Sequence, residues 1–236
     1  MKTLKIAAFA LNAALYVAAG ILFYSVLPLS FGPVRFWPQA VIPAVFAVVF
    51  GPWVGGLGAA LGIFVNDIML NGNPLLSLMA GVTANFAGFW LIGYIANKKT
   101  RWLTSVKGYG ISTALFALLL GIAYFYTDLV YVGIVAASYV MFIALVFFAR
   151  KWRSYEVGSV IGLLVGSAII GLMVPVYFQY FAPSATPITL ASGLAYLIWT
   201  FATEISFLLV LGPPIIEAIY RAFPNLKMKK ESGNQQ

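Results

Sequence analysis

The side chains able to do chemistry in this chain are few, and the missing types are as informative as those present. Histidine and cysteine do not occur in its 236 residues. That removes the commonest general base and metal ligand and leaves no thiol nucleophile. The phosphate loop Gly-x-x-x-x-Gly-Lys-Ser/Thr, the His-Glu-x-x-His pair and the Gly-x-Ser-x-Gly elbow are also missing. Of the six acidic residues, Glu204 sits in the middle of a long apolar stretch, with Thr200 and Thr203 on the same helical face. A carboxyl at that depth meets a substrate or a proton, or is held neutral by a neighbouring helix. Arg35, with Trp37 and Gln39 beside it, precedes one apolar run, while Asn66 and Asp67 end another. Arg35 and Asp67 read either as an ion pair locking two loops or as the flanks of a mouth for a charged small molecule. Asn71 lies in the same loop as Asp67, and Asn85 is an amide inside an apolar run, where it needs a partner. Tyr124, Tyr126 and Asp128 surround a further turn, as an interfacial aromatic belt or as a stacking platform. This inventory points to binding, carriage or sensing rather than catalysis, with no cofactor and no metal.

The elements that must position these residues are membrane helices. The chain is 62% hydrophobic and only 8% charged, against roughly 25% charged residues in soluble domains. A crossing helix needs about 20 mostly apolar residues. The runs Ile6–Leu27, Leu76–Ala96, Tyr109–Tyr126, Leu129–Ala149, Val157–Tyr180 and Leu190–Ile219 meet that length or nearly so. Two shorter ones, Pro38–Phe50 and Trp53–Ile68, join at Gly51-Pro52 and either cross or form a re-entrant hairpin. The first run is longer than the ~7–15 residues of a signal-peptide core, so a retained first helix is expected. The expected fold class is an all-α integral membrane protein, a polytopic bundle of six to eight transmembrane helices.

Thirteen of the fourteen Lys and Arg residues fall into four clusters: Lys2 and Lys5; Lys98, Lys99, Arg101 and Lys107; Arg150, Lys151 and Arg153; Arg221, Lys227, Lys229 and Lys230. Cytoplasmic loops are enriched in these residues. Eight crossings put all four clusters and both termini on the cytoplasmic side, leaving Arg35 as the one cation outside. A net charge of +8 is therefore topological rather than a nucleic-acid signature. The expected location is the cell membrane.

Punctuation and small-residue stripes refine this layout. Asn71-Gly72 marks a turn, and Asn73-Pro74 fits an N-cap followed by the first helical position. Leu211-Gly212-Pro213-Pro214 reads as a helix end. Gly51–Gly55–Ala59, Gly58–Gly62, Ala80–Ala84–Gly88 and Gly158–Gly162–Gly166 form stripes that let helix backbones approach closely, most simply within the bundle. Ala10, Ala14 and Ala18 form another on the first helix, suited to internal packing or to docking of a membrane partner. The chain divides into a core at 1–150, an additional helix pair at 151–224 and a short basic tail at 225–236.

The stretch from Phe31-Gly-Pro-Val-Arg-Phe-Trp-Pro-Gln to Phe50-Gly-Pro-Trp-Val-Gly-Gly, continuing to Asn66-Asp67, resembles the substrate-binding S components of energy-coupling factor transporters. The match lies in the Ala10/Ala14/Ala18 stripe, the Pro-containing loop and the Gly-Pro turn entering a Gly-rich helix. The resemblance spans residues 1–150, and the last helix pair exceeds the family's six helices. It implies a vitamin-like ligand captured between outer loops and helix tops, around Arg35 and Asn66–Asn73. It also implies docking through the first helix on a membrane coupling subunit with separate ATPases. The alternatives are a self-sufficient secondary carrier coupled through Glu204 and a sensor without transport, since Phe36-Trp37-Pro38 with Phe50-Gly51-Pro52 is also similar to eight-helix membrane sensor modules.

Overall fold

The computed structural model describes residues 2–97, 106–182 and 189–226. Lys98, Lys99, Arg101, Lys227, Lys229, Lys230 and the rest of the tail lie outside these residues, as does most of the last outer turn. The side chain of Asn71 is likewise outside what is described. Helix α1 spans Lys2–Val26, α2 Val41–Phe50 and α3 Pro52–Asn71. Next come a short α4, Pro74–Leu76, and a π-helical stretch Ser77–Val82 that leads without a break into α5, Thr83–Asn97. The remaining helices are α6 Val106–Tyr126, α7 Leu129–Phe148, α8 Arg153–Tyr180 and α9 Leu190–Ala222. Seven of the helical segments are long and apolar enough to cross a membrane, and Pro38–Phe50 is a shorter eighth. The protein is an all-α, polytopic, multi-pass membrane bundle.

Local signals set the boundaries. Gly72 ends α3 in the left-handed conformation, at φ 66°, which glycine adopts without steric cost. The Asn73 side chain then accepts the Leu76 backbone N–H at 3.0 Å, with Pro74 at the first helical position. Gly51, at φ 109°, permits the reversal between α2 and α3.

One expected stop fails. Helix α9 runs straight through Pro213 and Pro214. Proline removes a backbone donor and normally breaks a helix, but in membranes neighbouring groups satisfy the carbonyls it strands. Here the Tyr155 hydroxyl of α8 donates to the Leu208 carbonyl at 2.9 Å, beside the carbonyls that Pro213 and Pro214 leave free. Gly212 leaves room for it, since a Cβ there would collide with the Tyr155 ring and hydroxyl.

The glycine stripes are internal seams. Gly158, Gly162 and Gly166 of α8 lie against Ile92, Gly88 and Ala84 of α5, and a Cβ on Gly162 would stand 2.6 Å from the Gly88 carbonyl oxygen. Gly58 and Gly62 of α3 receive Asn12 and Tyr16 of α1, and Gly55 receives Ala47 of α2. In lipid such close contact is what drives helices together. The principal core cluster runs through α2, α5, α6, α7, α8 and α9, with Ile198, Phe201, Ile205 and Leu208 of α9 fully buried. The last two helices thus pack at the centre of the bundle.

Helix α1 packs on α3 and α2. Its inward face carries Ala8, Asn12, Ala13 and Tyr16, while Ala10, Ala14 and Ala18 face outward and are exposed. Asn12 is fully buried and its Nδ2 donates to the carbonyls of Val54 and Gly55.

Candidate functional site

The site is built at the end of the bundle where α1 hands over to α2. There Ser30–Phe31 and Val34–Arg35 pair as a two-residue antiparallel hairpin, turned by Gly32 at φ 57°. The hairpin is laid against α9: Phe31 stacks on Trp199 with ring centroids 5.9 Å apart and meets Tyr196 edge-on at 5.5 Å. A Cβ on Gly32 would lie 2.8 Å from the Tyr196 hydroxyl, so the close approach depends on glycine.

This placement turns Arg35 into the protein. Its side chain is only 5% exposed, and its Nη2 reaches Asp67 Oδ1 at 2.9 Å. The guanidinium also lies over the rings of Trp37 and Tyr24, 5.1 and 5.5 Å from their centroids. Burial lowers the pKa of Arg35, and the Asp67 carboxylate opposes that shift. The other oxygen of Asp67 accepts from Ser77 Oγ at 2.6 Å. Ser77 opens the π-helical stretch, and π-turns of this kind recur at functional sites because they redirect side chains.

Behind the ion pair lies a cavity of about 100 Å³. Its wall along the π-helical stretch and α5 runs from Ser77 to Ile92, roughly 20 Å at the helical rise. Arg35, Trp37 and Asp67 line the mouth, while Asn85, Ser167, Thr200 and Glu204 add polar groups to walls otherwise made by Ile63, Ala80, Phe89, Leu163 and Val174. An apolar hollow with a few convergent polar groups is the usual form of a small-molecule site.

Several of those groups have bonding capacity left over. Arg35 Nη1 and Ser167 Oγ are buried without a hydrogen-bond partner. Glu204 is 7% exposed, and among the described residues it forms neither a hydrogen bond nor an ion pair within the protein. Asn85 is more committed: it accepts from the Tyr16 hydroxyl at 2.7 Å and donates to the Gly81 carbonyl at 2.9 Å.

The sequence candidates therefore separate. Arg35, Trp37, Asp67, Asn85 and Glu204 are brought to one cavity, with Thr200 a turn from Glu204. Asn66 is fully buried but clamps α3 to α1, donating to the Tyr16 and Gly62 carbonyls. Gln39 is buried between α1 and α9, outside the cavity wall, with neither amide atom bonded. Tyr124 is 64% exposed and touches Phe125. Asp128 joins Phe31, Tyr126, Tyr131 and Trp199 around a second hollow of about 440 Å³ at the same end.

Sequence reasoning passed over Tyr16, Ser77 and Glu156. Tyr16 is 1% exposed, sits edge-on to Trp37 and Phe89, and holds Asn85; only the periodicity of α1 marks its face. Glu156 follows the cluster Arg150, Lys151 and Arg153, and nothing in that order marks it as buried. In the structure Lys151 pairs with Glu217, and Glu156 turns inward, fully buried with both oxygens unbonded. No group of metal-ligating side chains occurs among the described residues.

Fold and cavity define a multi-pass helical membrane protein with a largely apolar pocket that carries a few buried polar groups. Comparison of the chain with protein-family models, with curated proteins and with solved structures gave no match.

Proposed function

We propose that this chain is the ligand-capturing membrane subunit of an uptake system for a small micronutrient in the cell membrane, working with a separate coupling subunit and ATPases. One observation carries the reading: two buried polar atoms without a partner, Arg35 Nη1 and Ser167 Oγ, and the buried Glu204 carboxyl, which has no hydrogen-bond or ion-pair partner among the described residues, all border one cavity. Unsatisfied polar groups of this kind cost about 1–3 kcal/mol each, and a bound solute would relieve that cost. Two further features support it. The positive-inside rule applied to the basic clusters turns the Arg35 end outward, and the Ala10/Ala14/Ala18 stripe is left exposed on an edge helix as a smooth face for a membrane partner.

Native mass spectrometry of the purified protein, seeking a retained small molecule, tests the capture role. Replacing Ala14 with Trp tests the docking role: uptake is lost while ligand binding in detergent persists. Unchanged uptake removes that role.

A second reading is favoured by Glu204 itself, which has no hydrogen-bond or ion-pair partner among the described residues. In a carrier coupled to protons through this carboxyl, Glu204→Gln eliminates flux driven by a pH gradient, and ATP depletion has no direct effect.

A further inference from the structure

We infer that the cavity behind Arg35 takes a compact organic monocation bearing an uncharged hydrogen-bond acceptor, with the cationic nitrogen at Glu204 and the acceptor at Arg35 Nη1. This rests on the capture reading above and names its ligand class.

Charge balance leads to it. Three ionisable groups of opposite sign line the cavity: Arg35, Asp67 and Glu204. The first two cancel through their 2.9 Å contact, which leaves Glu204 without a counter-charge. A buried carboxyl is either neutral or joined by a cation, and a cationic ligand takes Glu204 along the second course. With Glu204 ionised, a zwitterion leaves the imbalance as it is and an anion enlarges it, whereas a monocation closes the balance at zero. The remaining contacts fit the same class. Arg35 Nη1 and Ser167 Oγ are open, and Arg35 asks for an oxygen acceptor. The ring of Phe89 stands in the same wall and attracts cations through its face, while that of Trp37 already carries the Arg35 guanidinium.

The surroundings of the cavity carry the same bias. At the Arg35 end the chain places one cation, Arg35, against two acids, Asp67 and Asp128, with Glu204 deeper in the bundle, although its formal net charge is +8. A second hollow combines Asp128 with Phe31, Tyr126, Tyr131 and Trp199, an acid among aromatic rings that favours cations.

The test uses the full-length protein in detergent and four compounds of nearly one shape. Choline is the monocation, betaine the zwitterion, 3,3-dimethylbutanol the neutral isostere and 3,3-dimethylbutyrate the anion. Binding is followed by calorimetry, alongside the charge of any molecule retained on purification. Choline is expected to bind at least ~30-fold more tightly than the other three, the loss typical when one partner of a buried charge pair is absent. Glu204→Gln is expected to remove that preference. The pH profile keeps the inference testable if this variant fails to fold. Choline does not titrate, and a cation binds the ionised form of Glu204, so affinity rises with pH. The charged or titratable neighbours are Tyr16 from α1, Arg35 from the hairpin and Asp67 from α3; α5 and α8 contribute only the uncharged Asn85 and Ser167.

Preferential binding of betaine or the anion overturns the cation assignment and leaves capture standing. So does a retained molecule without positive charge. A retained monocation supports the assignment even if choline itself does not fit. If none of the four binds and nothing is retained, the capture reading fails as well.

Discussion

Breaking the Arg35–Asp67 contact probes the site most sharply. Both side chains are largely out of solvent, at 5% and 15% exposure, and the contact is 2.9 Å. It therefore belongs to the class of buried pairs, not to the exposed ones that contribute little. At an effective dielectric near 20, unit charges about 4 Å apart attract by about 4 kcal/mol. Removing one partner strands the other, at a cost of about 3–5 kcal/mol. Asp67→Leu leaves Arg35 over Trp37 and Tyr24, whose rings return about 1 kcal/mol. Arg35→Met leaves Asp67 with Ser77 alone. Each single variant is therefore expected to lose about 2–4 kcal/mol. The double variant strands no charge and is expected to lose less than either single one, as buried pairs replaced by apolar groups do. Unfolding in mixed micelles, followed by circular dichroism, measures all three. Additive losses, or single losses below about 0.5 kcal/mol, would refute the reasoning.

Packing and burial give further expectations. Gly162→Leu, whose Cβ would already stand 2.6 Å from the Gly88 carbonyl oxygen, separates α5 from α8 and lowers the unfolding midpoint sharply; Gly121→Ala, with nothing within 4 Å, is neutral or gains up to about 1 kcal/mol. A midpoint unchanged by Gly162→Leu contradicts the seam. Glu156→Met replaces a fully buried carboxyl whose oxygens have no partner, so stability in the same assay is maintained or raised. A clear loss of stability there would mean that Glu156 has a partner in the folded protein.

Much of the architecture was legible because lipid enforces it. Apolar runs, basic clusters and the Asn73-Pro74 cap are one-dimensional signals, and all the helices they predict form. Arg35 and Asp67 were legible as a pair because two loops on one side of a bundle must come near each other. Three-dimensional packing was not legible. Glu156 carried no signal beside its basic neighbours, and α8, starting at Arg153, buries it. Gly212-Pro213-Pro214 looked like a stop because the Tyr155 hydroxyl that supports α9 there comes from 58 residues earlier, by the difference between Tyr155 and Pro213. Glu204 was legible as costly, whereas its sharing a cavity with Arg35 depends on the hairpin that Phe31 docks on Trp199 and Tyr196.

The central claim is that the pocket behind Arg35 opens away from the cytoplasm. The chain has no cysteine, so single cysteines report topology without background. Ser30→Cys lies in the exposed strand beside Arg35, and Lys107→Cys lies exposed at the opposite, basic end. A membrane-impermeant maleimide applied to intact cells is expected to label Ser30→Cys and to spare Lys107→Cys until the membrane is opened. The reverse pattern would contradict the account.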